Sequence, residues 1–308
     1  MISRRNIRIK VFQSIYELDQ QYDTVNPDLS KKVLDDKILE TGALLAASTH
    51  LMFLLAEYVL IHANQKASKY TATHDDLNVN KKLAGNIILQ QLKKNNSFSE
   101  SVKLHKVASL FDDELIKKLF HVLLESDVYK QYILTEERTS AEEKAILQFI
   151  IKNCIFSNEF ASSFLSEQFL SWFNDAEMIE AWMDKILTSA ASFNFNKLIS
   201  ADKLEFAHEL IQVYYDKKDF VFALIEPKLV NWDAERVALI DLILLHLGIC
   251  EMLYFPTIPV KVTINEYIDL AKSYSTLQSG QFVNGLLDNV HKDLVNENKL
   301  HKETYTKK

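Results

Sequence analysis

The chain has 308 residues, 48% hydrophobic and 25% charged, with a formal net charge of −7 at pH 7. That is enough apolar material for one large domain or two modest ones, and the acidic balance argues against indiscriminate nucleic-acid binding. Only 5 Gly and 4 Pro are present, too few for the tight turns of a sandwich or barrel, so an all-α fold is expected.

The two cysteines, Cys154 and Cys250, lie inside apolar helical patterns and read as buried free thiols rather than a disulfide. The charged N-terminus is not followed by an apolar run of signal-peptide length, so a cytoplasmic location is expected. The apolar stretch 42–61 carries Ser48, Thr49, His50 and Glu57, which favours a buried core helix over a membrane span.

Residues 4–20 read as the first helix. Ile7, Val11, Ile15 and Leu18 form its apolar stripe. Arg5, Arg8, Phe12 and Tyr16 lie along one flank, Lys10 on the other, and Gln13 opposite. Three of the chain's five arginines (Arg4, Arg5 and Arg8) fall here, with no acid before Glu17. Positive charge at a helix N-terminus opposes the macrodipole. The cluster therefore does little for the helix and points to an external anion, a solvated basic turn being the plainer alternative.

After an Asn26-Pro27 turn, residues 30–65 carry one long or two shorter helical patterns. Polar residues 66–82 read as a surface loop, 83–92 as a short helix and 93–101 as another loop. A helix breaking near Ser126 is expected over 112–133. A capping box at Ser140 and Glu143 precedes the next, and helices follow at 157–173 and 176–192. The aromatics Phe160, Phe164, Phe169, Trp172, Phe173 and Trp182 recur at helical spacing and read as core. Residues 202–230 form a helical hairpin whose second arm Pro227 should shorten.

Asp233 is placed as the N-cap of a helix running to about residue 253, apolar around most of its circumference and therefore central. His246 on it reads as a hydrogen-bonded core histidine. Asp241 and Glu251, about 15 Å apart along the axis, cannot form a catalytic pair. Pro256 and Pro259 force an extended turn. Thr263 and Glu266 then read as a capping box, and Ser279 as the N-cap of the last helix. Gly285, inside that helix's apolar pattern, reads as a site of close helix approach, at a cost of about 1 kcal/mol relative to Ala. No glycine-rich phosphate loop, HExxH or CxxC occurs, so no enzyme, cofactor or metal is expected.

Four matches give a family resemblance. TIPVKVTINE at 257–266 is followed by Ala271-Lys272 and by FVNGLLD at 282–288. At the other end stand Arg4, Arg5, Arg8, Gln13 and Tyr16, in the spacing RRxxRxxxxQxxY. The chain thus resembles the NusB transcription antitermination factors over residues 1–20 and 202–294. The intervening residues look like the long insertion of Bacteroidetes-type members.

The resemblance implies an all-α, NusB-like pair of helical bundles with a large helical insertion. Residues 1–24 would be the basic first helix, 25–200 the insertion, 201–296 the rest of the fold, and 297–308 a disordered tail. It further implies a non-catalytic factor that binds boxA-like single-stranded RNA of ribosomal RNA leaders with ribosomal protein NusE, within the RNA polymerase antitermination complex. No membrane is involved, and a homodimer is left open. Arg4, Arg5, Arg8, Gln13 and Tyr16 match the RNA-contacting helix. Phe282 would stack on a base, and Lys261, Lys272 and Gln278 would add contacts. Where the family often carries acids before Phe282, this chain has Leu277-Gln278-Ser279-Gly280. The alternative is a helical interaction module of the same fold that has lost RNA binding. An RNA methyltransferase would need a further α/β domain, of which the sequence has no trace.

Overall fold

The computed structural model describes residues 1–229, 237–276 and 278–303. Among them the chain is helical, with no strand. In order, the α-helices are α1 (Arg4–Gln21), α2 (Pro27–Ala67), α3 (His74–Leu77), α4 (Ile87–Lys93), α5 (Asn96–Leu104), α6 (Asp113–Glu125), α7 (Asp127–Leu134) and α8 (Ser140–Phe149). A π-helical turn, Ile150–Phe156, continues α8. Then come α9 (Glu159–Gln168), α10 (Trp172–Thr188), α11 (Ala201–Asp216), α12 (Lys218–Ile225), α13 (Leu239–Tyr254), α14 (Val260–Tyr274) and α15 (Ser279–Asn296). The chain divides into two compact units. One is Met1–Ile38 with Ile199–Lys308, the other Leu39–Leu198.

Local chemistry sets the helix starts. Ser3 accepts the Asn6 amide to cap α1, and Asn26 accepts the Leu29 amide where Pro27 opens α2. Residues 30–65 form one helix, part of the 41-residue α2. Its most apolar window is long enough to cross a membrane, yet 72% of that window is buried, as in a core helix. The stretch 66–82 is not all loop: Thr73 and Asp76 form a capping box that opens α3. Nor is 93–101 a loop, because the Asn95 side chain accepts the Phe98 amide and starts α5. Asn95 also donates to the carbonyls of Ala190 and Phe193, long-range partners that local reading cannot supply. At α8 the cap is Thr139 rather than Ser140, accepting from the Glu142 amide.

In the second unit, Leu44, Leu45, Leu51, Leu55 and Val59 of α2 are fully buried. Glu143, also fully buried, collects the Ile87 amide (2.7 Å), the Tyr132 hydroxyl (2.7 Å) and Arg138 (3.0 Å). Phe169, Trp172 and Trp182 are buried as expected, but Phe160 and Phe173 are on the surface, at 59% and 83% exposure. Their helices turn those positions outward, so helical spacing alone overstated the core.

In the first unit α13 is central, packed by α1, α11, α12, α14 and α15. Every residue from Ile243 through Met252 is buried. Gly248 permits the close packing: a β-carbon there would stand 2.9 Å from Leu287 Cδ2 and 3.4 Å from Tyr267. Gly285 has the opposite setting, with nothing within 4 Å of where its β-carbon would be. Close helix approach belongs to Gly248. The expected cap Asp233 lies outside the described residues.

Pro227 ends the hairpin as anticipated, α12 stopping at Ile225 and passing into a 3-10 turn, Glu226–Lys228. Two expected caps are corrected. α14 begins at Val260, after Pro259, so Thr263 is already inside the helix. Ser279 is the first residue of α15 and is buried against Asp241 rather than capping. Residues 297–303 were expected in a disordered tail, but Lys302 donates to the carbonyls of Glu251 (3.0 Å) and Phe255 (2.8 Å) at the end of α13. Residues 304–308 lie outside the described chain.

Candidate nucleic-acid interface

The positions expected to contact RNA begin on α1, whose first turn has no acid. Arg8, expected among them, is instead 2% exposed. Its Nε and Nη2 donate to the two carboxylate oxygens of Glu251 on α13, both at 2.8 Å. Thr263 (2.7 Å) and Tyr267 (3.3 Å) of α14 donate to the same carboxylate. Burial alone would disfavour the guanidinium charge, but the hydrogen bonds and charge of Glu251 outweigh it and hold Arg8 ionised. Burial and the negative Glu251 also push the Tyr267 phenol well above its usual value. Arg8 is thus the pin that docks α1 onto α13 and α14, and it has no surface with which to meet a phosphate.

Arg4 and Arg5 are placed differently. Arg4 is exposed, its guanidinium carbon 5.6 Å from the centre of the Phe206 ring on α11. The Arg5 side chain is 43% exposed, 3.8 Å from Glu266 and 3.7 Å from Asp269 on α14. These distances are too long for direct hydrogen bonds. Asp269 in turn lies 3.8 Å from Lys272. Arg5 and Lys272 therefore flank one carboxylate on one face. The Lys272 stem lies on the first turn of α15, where a β-carbon at Gly280 would come within 2.8 Å of its Cγ. Glycine there lets the lysine lie flat.

Further along α1, Gln13 is half-buried and Tyr16 is 38% exposed. Tyr16 meets Phe12 at 6.3 Å between ring centres, and Phe12 meets Tyr274 at 5.4 Å. Tyr16 lies roughly 16 Å along α1 from Arg5. Lys261, exposed in the first turn of α14, is equally distant from Lys272 along that helix and does not join it. Lys10 is 2% exposed.

Gln278 and Phe282 line a hollow with Lys228 and Gln281. Phe282 is half-buried, and Lys228 pairs with Asp293. Beneath them Asp241 accepts from Ser279 Oγ at 2.7 Å, placing a carboxylate at the N-terminus of α15. The structure thus groups Arg5 with Lys272, and Gln278 with Phe282, and Gln281 lines the hollows beside both groups.

Sequence reasoning did not anticipate Glu251, Thr263 and Tyr267 as the seat of Arg8. The one available sign was an acid, Glu251, standing in the apolar run of the most apolar helix. His246, expected to be hydrogen-bonded, is 2% exposed with neither ring nitrogen partnered. It sits 5.5 Å from Tyr214 and 6.3 Å from Phe222, between ring centres. Burial, then the nearby Lys218, lowers its pKa to about 4.

A sequence profile of the NusB family matches residues 165–292. Among curated proteins, the chain is 41% identical over 116 residues to the transcription antitermination protein NusB of Myxococcus xanthus, covering 37% of this chain and 82% of that one. It is 37% identical over 102 residues to the protein of the same name from Desulfatibacillum aliphaticivorans, covering 33% and 71%. With that of Methylacidiphilum infernorum it shares 41% over 101 residues, covering 33% and 70%. No solved structure matches the chain.

Proposed function

The chain belongs to the NusB family, and from that premise we propose that it is a non-catalytic, RNA-binding transcription antitermination factor. It binds boxA-like single-stranded RNA of ribosomal RNA leaders together with ribosomal protein NusE. The supporting observation is the division of labour on α1: Arg8 is spent on Glu251, while Arg4 and Arg5 remain at the surface, Arg5 near Lys272. Exposed arginines neutralise phosphates and stack on unpaired bases. Phe282 and Tyr16 offer ring surface, and Gln13, Gln278 and Lys261 offer further polar contacts.

The test is a titration of labelled boxA-like RNA with the protein, with and without NusE, at two salt concentrations. The proposal expects tighter binding with NusE and a marked weakening at the higher salt. The second reading, an interaction module that has lost RNA binding, draws on the two carboxylates beside Arg5. Capture of NusE with no RNA binding at either salt would favour it and refute the proposal.

A further inference from the structure

Between α14 and α15 runs a largely polar groove of about 590 Å³, lined by Asn265, Asp269, Lys272, Gly280, Gln281 and Asn284 with Ile268. That volume lies within the roughly 300–1,000 Å³ range of small-molecule sites. Three carboxamides, each both donor and acceptor, share the groove with one carboxylate, whose two oxygens can both accept. Carboxamides can serve a phosphate, but a carboxylate repels it, so a simple phosphate track would not carry one. Two cations stand by that carboxylate: Lys272, which lies against Gly280 in the lining, and Arg5, 3.7 Å from Asp269. The Asp269 carboxylate is 53% exposed, and among the described residues its ion pairs are loose, at 3.7 and 3.8 Å, which leaves it room to accept new donors.

Resting on the RNA-binding reading above, we propose that this groove reads a single unpaired base, with Asp269 as the specificity-determining residue and guanine as the base selected. In single-stranded RNA the Watson–Crick edge is free to be read. On that edge guanine presents two adjacent donors, N1–H and N2–H, matching the two oxygens of a carboxylate. Cytosine and adenine offer one amino group beside an acceptor nitrogen, and uracil one N–H between two carbonyls that a carboxylate repels. Asn265, Gln281 and Asn284 are placed to meet the remaining polar atoms of the base. Lys272 and Arg5 take the phosphates that flank it.

The test uses the full chain and a set of short uridine-rich RNAs in which one guanosine is moved through each position. Inosine, which lacks only the 2-amino group, replaces it in a parallel set. At one position the unaltered protein should bind guanosine RNA about tenfold tighter than inosine RNA, in line with the discrimination of a two-point base contact. In Asp269→Asn the guanosine preference should collapse while the inosine RNA still binds. A guanosine-to-inosine ratio that survives Asp269→Asn overturns the inference, as does its absence from the unaltered protein at every position. A uniform gain in affinity for all RNAs in the variant also overturns it, by showing that Asp269 only neutralises Arg5 and Lys272. Failure of the unaltered protein to bind any RNA refutes the RNA-binding reading itself, and is thereby distinguished from failure at this groove. Thermal unfolding followed by circular dichroism checks that the substitution, at a half-exposed position, leaves the fold in place.

Discussion

Replacing Glu251 by Gln removes one charge and almost no volume from the middle of the first unit. The side chains of Arg8 and Glu251 are 3% and 0% exposed, so the guanidinium left behind cannot recover its lost partner from water. Breaking a buried ion pair from one side costs about 3–5 kcal/mol. Glu266, 3.7 Å from Arg8, takes up part of the orphaned charge, which places the expectation near the lower end, about 3 kcal/mol. For a domain of this size that is a fall in melting temperature of roughly 6–12 °C. Differential scanning calorimetry measures it directly. A second variant, Arg8→Met with Glu251→Met, should recover more than half of the loss, because well-packed apolar replacements of buried pairs are often neutral or stabilising. A drop below about 2 °C for Glu251→Gln would refute the reasoning. So would a double variant as unstable as the single one, since the pair would then not be the pin of α1.

Two glycines on facing helices should respond in opposite directions. Gly285→Ala, at an exposed and open position, should stabilise by about 0.5–1 kcal/mol through helix propensity. Gly248→Ala should destabilise by about 1–3 kcal/mol, because its methyl meets the fully buried Leu287 at 2.9 Å. Urea midpoints of the two variants decide the matter, and equal shifts would contradict the packing described. His246 gives a pH dependence. Its folded pKa is depressed to about 4 from 6.5, so below 6.5 the unfolded chain takes up a proton that the folded chain refuses. This contribution to stability is complete above pH 6.5 and is lost as pH falls toward 4, by about 3 kcal/mol in all. The stability difference between the unaltered protein and His246→Leu should shrink or reverse by that amount over this window. A difference that stays constant with pH would count against it.

The helical class, α1, the 202–230 hairpin and the Pro227 stop were legible because each is written locally, in apolar period or in backbone restriction. The start of α5 was not, since Asn95 gains its importance from carbonyls about a hundred residues away. The RNA-contact set divides on the same principle. Arg4, Arg5 and Arg8 look alike in sequence, and only the partner 243 residues distant takes Arg8 out of the surface. Gly285 and Gly248 show the reverse error: the glycine in a conspicuous motif stands in open space, while the quiet one in α13 carries the contact. Asp269 drew no notice along the chain, and Asn265 none beyond its motif, because a groove is a property of two helices together.

The account rests most directly on which arginines of α1 meet RNA. Salt dependence separates them, since each phosphate contact with a single strand contributes about 0.7 to the slope of log affinity against log salt. Arg4→Ala with Arg5→Ala should therefore flatten the slope for boxA-like RNA by about 1.4, while Arg8→Met with Glu251→Met should leave it unchanged. An unchanged slope without Arg4 and Arg5, or an equal flattening in the Arg8 variant, would contradict the assignment of pin and surface.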